Sequence, residues 1–211
     1  MAAAVIAAVV AAVAAGSAAA AGIQVDVVPN FVGAGLGSTT EYLGGKERVW
    51  GIAPGARVAL EKNRFIEVYG PLADMNLVNS PNWEFGPAVS YRFGREVDAL
   101  PEIEGGLEAG VFAGWHYVRL ERIPYRVRLG VQLVTAVSGG ATGGHVTPYA
   151  SLWVPLSPTL FVGLGGGFTW SSESFMQQRF GVSAVSGDGA GSPVVQKRDQ
   201  ITAGIGLGYS W

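Results

Sequence analysis

The feature that most constrains this chain is a two-residue alternation repeated in runs of about ten residues. From Trp83 to Phe93, the residues Trp83, Phe85, Pro87, Val89, Tyr91 and Phe93 fall on one side, and Glu84, Gly86, Ala88, Ser90 and Arg92 on the other. Successive side chains of a β-strand point to opposite faces, so the run reads as a strand with one apolar and one polar face. At helical spacing Glu84, Ala88 and Arg92 would share a stripe with no apolar stripe opposite. The same pattern sets Tyr125, Val127, Leu129, Val131 and Leu133 against Arg126, Arg128, Gly130 and Gln132. It recurs over Leu107 to Tyr117, Leu160 to Trp170, Ile52 to Leu60 and Ile201 to Trp211, and less sharply over Val28 to Leu36, Phe65 to Leu72 and Val146 to Val154.

Composition decides which face meets which medium. Only 14% of the 211 residues are charged, against about a quarter in a soluble domain, while 32 are glycine. Glycine sits on the polar face of these strands, where a water-facing sheet would carry Lys, Thr and Glu. A soluble sandwich or lipocalin-like barrel also alternates, but with its apolar face inward. Past the N-terminus no run of about 18 apolar residues remains, so no helix there is suited to spanning a bilayer. A closed barrel is the other structure that crosses lipid with every backbone group bonded. Aromatic residues at run ends (Trp83, Phe93, Trp115, Tyr117, Tyr125, Trp170, Tyr209 and Trp211) suit interfacial girdles. Short connectors at 61–64, 121–124 and 155–158 alternate with longer ones at 38–49, 94–104, 138–144 and 171–200.

These signs predict an all-β fold: an antiparallel up-and-down transmembrane β-barrel of about ten strands, with eight to twelve compatible. Nine strands are clear. An even number is expected, with the tenth in Ala73 to Asn79 or Phe175 to Ala184. Residues 1–21, an Ala-rich apolar stretch ending Ala19-Ala20-Ala21, read as a cleaved signal peptide, although no Lys or Arg precedes the apolar core. An Ala-rich helical anchor is the alternative. Residues 22–211 form the barrel, in the outer membrane of a Gram-negative bacterium and surrounded by its lipid.

Alternation points Arg57, Glu67, Glu84, Arg92, Glu108, His116, Arg126 and Arg128 into the lumen. Both signs of charge occur, so ion pairs filling a narrow interior are expected. A selective pore lined by Arg126 and Arg128 is the sharper alternative. For an outer-membrane lipid hydrolase the chain offers only His116 and His145, with Ser138 or Ser151 as nucleophile. His145 reads as a residue of a Gly-rich loop, and no enzyme is expected. There is no Cys, and the net charge of −2 gives no basic field for nucleic acid. Gly163 to Gly167 lacks the following helix and Lys of a nucleotide loop, and Phe168-Thr169-Trp170 continues the strand. No metal or cofactor is expected.

The final run ends on an aromatic residue. Gly206, Tyr209 and Trp211 match the C-terminal signal by which the barrel assembly machinery recognises its clients, an open last strand pairing by β-augmentation. Other segments resemble the MipA/OmpV family: Val32-Gly33-Ala34-Gly35-Leu36-Gly37 with Glu41-Tyr42, Gly86-Pro87-Ala88-Val89-Ser90-Tyr91-Arg92-Phe93-Gly94-Arg95, and Leu107-Glu108-Ala109-Gly110-Val111-Phe112. Ser138-Gly139-Gly140, Gly143-Gly144-His145, Pro155-Leu156-Ser157-Pro158, Phe175-Met176-Gln177, Phe180-Gly181-Val182, Gly187-Asp188 and Ser192-Pro193-Val194-Val195 follow in family order. The chain departs from the family between Val182 and Gly187, where about one hairpin is missing and a narrower barrel is implied. The resemblance implies an outer-membrane scaffold that holds a lytic transglycosylase near a murein synthase, with no catalytic residues to carry over.

Overall fold

The computed structural model describes residues 30–40, 48–94, 105–121, 123–139, 143–172, 174–175 and 199–211. The signal-peptide segment, the resembling motifs after Phe175 and the place of the missing hairpin lie outside these residues. Ten antiparallel strands close into one barrel: β1 Phe31–Thr40, β2 Arg48–Ala59, β3 Phe65–Tyr69, β4 Leu72–Asn76, β5 Trp83–Arg92, β6 Gly106–Arg119, β7 Tyr125–Ala136, β8 Gly144–Pro155, β9 Leu160–Ser171 and β10 Asp199–Ser210. Each strand pairs with its sequence neighbour, and β1 pairs with β10 to close the ring. One rim carries both ends of the barrel and the connectors at 60–64, 77–82, 120–124 and 156–159. The opposite rim carries the longer connectors.

The alternation becomes a difference in exposure. Along β5 the residues Trp83, Phe85, Pro87, Val89 and Tyr91 are exposed, while Glu84, Gly86 and Ala88 are buried. The exposed apolar side chains form a belt around the outside, and most buried side chains that are large are polar or charged. A barrel dissolved in hydrocarbon needs this inversion, because its lipid face carries the apolar surface. The girdles are visible as ring contacts. Trp115 stacks on Tyr117 and Tyr209 on Trp211 at the turn rim, and Tyr91 meets Phe93 edge-on at the loop rim.

One stretch folds differently from its sequence reading. Phe65 to Leu72 reads as a single strand, but the chain turns back inside it. Gly70 takes a φ of +53°, which an L side chain rarely adopts, and Pro71 supplies no N–H to a ladder. The tenth strand is therefore β4, which overlaps the first of the two expected segments and starts one residue before it. At five residues each, β3 and β4 are about half the length that spans the hydrocarbon. Their hairpin reaches β2 only as far as Pro54, whose carbonyl accepts the Gly70 N–H at 2.8 Å. Among the described residues, no strand pairs with Arg48–Ala53 on that side. Pro54 stands where the ladder ends, a position in which its lacking N–H costs nothing. Gly51 and Ala53, inward-facing by alternation, are exposed, and outward Ile52 is 79% exposed. Among the described residues the wall has a gap beside upper β2.

Candidate functional site: a lumen with two unlike walls

Seven side chains from six strands meet across the barrel's lower half. Glu67 on β3 takes ion pairs from Arg57 on neighbouring β2 and from Arg128 on β7, four strands away. Arg128 Nε donates to Glu84 Oε2 at 2.6 Å, and its Nη2 lies 4.0 Å from Asp74 Oδ2. Glu84 also faces His116 Nδ1 at 2.9 Å and Arg126 Nη2 at 3.5 Å. All seven are buried. Three arginines meet three carboxyl groups, so the cluster offsets its own charge. That is the condition under which buried ions persist, since an unpaired one costs several kcal/mol. Cation–π contacts add to it: the Arg57 guanidinium lies 4.2 Å from the Phe65 ring centre and Arg128 lies 5.3 Å from that of Tyr149.

A second cluster sits nearer the loop rim. Glu108 accepts hydrogen bonds from Ser90 Oγ at 2.8 Å and from Arg92 Nε at 2.6 Å. Arg92 Nη2 donates to His145 Nδ1 at 3.0 Å, and the Phe175 ring covers the guanidinium at 4.5 Å. His145 is therefore not a loop residue. It is the second residue of β8, held inside by Arg92 and Glu108. The glycines before it made this segment read as a loop, but β8 begins among them at Gly144.

At the turn rim the interior is crossed by rings. Trp153 on β8 stacks on Phe161 of β9 at 4.7 Å between centroids, and Phe31 of β1 meets both edge-on, at 4.8 Å and 5.5 Å. Arg57 and Arg126 lie over Trp153 from other strands, at 5.1 Å and 5.3 Å. Asn76 finishes the lower end of β4. Its Oδ1 accepts from Val78 and Phe85 N–H, and its Nδ2 donates to the Asn63 and Val78 carbonyls, so all of its amide capacity is used.

The wall of β1, β9 and β10 presents glycine to the lumen at Gly33, Gly35, Gly37, Gly163, Gly165, Gly167, Gly204, Gly206 and Gly208. A cavity of about 450 Å³ lies against it, floored by Phe31, Trp153 and Phe161 and bounded opposite by Glu67, Asp74, Phe112 and Arg128. Sequence reading missed Asp74 and the floor. Asp74 lies on the unrecognised β4, and Trp153 on a strand whose alternation is blurred.

Neither of the two serines expected as a nucleophile stands beside His145. Ser138 Oγ accepts the Leu107 N–H at 2.8 Å, and Ser151 lies six residues along β8 from His145, about 20 Å at strand rise. Among the described residues no group of His, Asp and Glu is arranged to hold a metal ion.

The family model described as MltA-interacting protein MipA matches residues 32–186. The chain belongs to the MipA family. With the barrel described above, membership makes it an outer-membrane protein of a Gram-negative bacterium. Among solved structures the chain is similar to Neisserial surface protein A, at 11% identity over 88% of this chain and 98% of that one, with a TM-score of 0.37. Ail of Yersinia pestis gives 8% identity, 87% and 97% coverage and a TM-score of 0.30. The N-terminal β-barrel domain of Pseudomonas aeruginosa OprF gives 13%, 87%, 99% and 0.32. No curated protein matches the chain. Gly206 and Tyr209 lie on β10 and Trp211 just beyond it, where the Trp211 N–H reaches the Asn30 carbonyl at 3.3 Å.

Proposed function

We propose that this MipA-family barrel is a non-enzymatic scaffold that holds a murein-cleaving lytic transglycosylase, and through it a murein synthase, at the inner face of the outer membrane. The observation that carries the reading is the family match across most of the barrel, to a family described by its interaction with MltA. A second supports it. The lumen is crossed at the turn rim by paired charges and stacked rings, which block a through passage and leave that rim's surface to meet a periplasmic partner. The rim with both barrel ends faces the periplasm in this reading, and Glu61, Lys62, Arg64 and Glu121 on its turns supply contacts of both signs. Residues 1–21 are removed on export, and Gly206, Tyr209 and Trp211 are read by the assembly machinery.

Envelope fractions solubilised in mild detergent test it. Recovery of a lytic transglycosylase with the tagged barrel is the expected result, and its absence from cross-linked complexes overturns the scaffold role. A narrow channel is the competing reading. It requires the Arg57–Trp153–Arg126 layer to open, and steady single-channel steps from the native protein in a planar bilayer would favour it.

A further inference from the structure

The glycines of β1, β9 and β10 divide into two kinds. At Gly33 an added Cβ would stand 2.5 Å from the Leu207 carbonyl oxygen, and at Gly208 it would stand 2.2 Å from the Phe161 ring, so close packing dictates glycine at both. At Gly37, Gly163 and Gly165 it would meet nothing closer than 3.5 Å, and none of the three has a positive φ. Packing and backbone geometry both allow a side chain there. Glycine at these three positions instead keeps the cavity open. The volume of about 450 Å³ lies in the range of about 300–1,000 Å³ usual for small-molecule sites.

Two charged residues on the cavity's opposite wall have capacity to spare. Asp74 Oδ1 and Arg128 Nη2 make no hydrogen bond within the protein, although Asp74 is only 8% exposed and Arg128 6%. Buried polar atoms are normally bonded, and one left without a partner is destabilising. One is an acceptor and the other a donor, which suits a head group that both gives and takes a hydrogen bond. The rest of the lining sets Gln132, Thr147 and Ser151 among α-carbon, Ala53, Leu72 and aromatic ring.

The gap beside upper β2 leads to the same space. Ala53, Gly55, Tyr69 and Leu72 border both the gap and the cavity. On the outer face at that height stand Trp50 and Ile52, part of the lipid-facing belt. The opening therefore faces hydrocarbon and not water.

We propose that the lumen is a binding site for a single-chain amphipath, such as a fatty acid with its carboxyl protonated, which enters sideways from the membrane between β2 and the β3–β4 hairpin. Its chain lies along the glycine wall, and its head group is met by Asp74 and Arg128.

The full-length barrel in phosphatidylethanolamine–phosphatidylglycerol vesicles is labelled with a diazirine-bearing palmitic acid, and the adducts are mapped residue by residue. Any barrel is labelled on outward residues such as Leu152 and Ile205. The site requires adducts on inward Thr147, Tyr149 and Ser151 as well. Gly165→Leu fills the cavity and should lower inward labelling at least tenfold with outward labelling unchanged. Gly163→Leu replaces it if the first variant loses the heat-dependent gel shift of a folded barrel. Ala53→Trp, which fills the side gap, should slow inward labelling severalfold. Adducts confined to outward residues, or inward adducts indifferent to both glycine variants, overturn the site. Inward labelling unaffected by Ala53→Trp overturns the sideways route and shows entry from the loop rim.

Discussion

The two walls of this lumen obey one alternation and fill the interior in opposite ways. From β2 to β7, inward positions include long charged side chains that reach across the barrel to one another, as Arg128 does to Glu67. On β1, β9 and β10 the same positions are mostly glycine, and most of what the wall shows the lumen is backbone. A two-residue period therefore states which side a residue takes and not whether that side is filled. Filling is set by side-chain length, and the charged wall is long enough to occupy its half from Phe65 up to Phe175.

Removing a member of the charged wall should have the largest effect. Glu67→Ala leaves Arg57 and Arg128 without their shared partner, and a loss of about 3–5 kcal/mol is expected for breaking a buried pair. Urea unfolding in lipid vesicles measures it, and a variant as stable as the parent would mean that the cluster holds nothing together. Next comes a contrast within the glycine wall. Gly33→Val, aimed at the Leu207 carbonyl, should cost about 1–3 kcal/mol as an overpacked site, whereas Gly37→Val should change stability by about 0.5 kcal/mol or less. Equal costs at the two positions would erase the distinction between packing glycines and space-keeping ones. Between those two falls Ser90→Ala, at about 1 kcal/mol for one hydrogen bond to Glu108, measured by the same unfolding. The floor is probed by a different readout. Trp153→Gly with Phe161→Ala removes two of its rings, and discrete conductance steps should appear where the parent shows none.

The sequence made some regions of this barrel plain and hid others for physical reasons. Long strands such as β5 and β7 carry five or more outward positions each, so their period survives an occasional small residue. In β3 and β4 only two outward positions remain per strand, and one of β4's is Ala73. The Gly70-Pro71 turn was visible but embedded in the apolar run Val68 to Ala73, which made two half-strands look like one. The inward direction of Arg57, Glu84 or Arg128 follows from parity along a single strand. Their pairing does not, because which residues meet across the lumen depends on stagger between strands far apart in the chain. Asp74 was invisible on both counts, and the Phe31–Trp153–Phe161 floor comes from three strands whose contact no local pattern announces.

The closing seam between β1 and β10 has a consequence for strand registration. On its inner side Gly33 faces Gly208, Gly35 faces Gly206 and Gly37 faces Gly204, so no side chains interlock there. A slide by two residues would set glycine opposite glycine again and keep each outward residue outward, and smooth strands of this kind specify their alignment weakly. What fixes it lies at the two ends: near the loop rim Thr39 Oγ1 meets Thr202 Oγ1 at 3.3 Å, and Asn30 acts at the turn rim. The Asn30 carbonyl takes the Trp211 N–H while its side-chain Oδ1 accepts the Ala59 N–H at 2.7 Å, tying last, first and second strands to one residue. Asn30 thus works as a detent in a sliding joint, holding three strands in alignment through one residue next to the first of them.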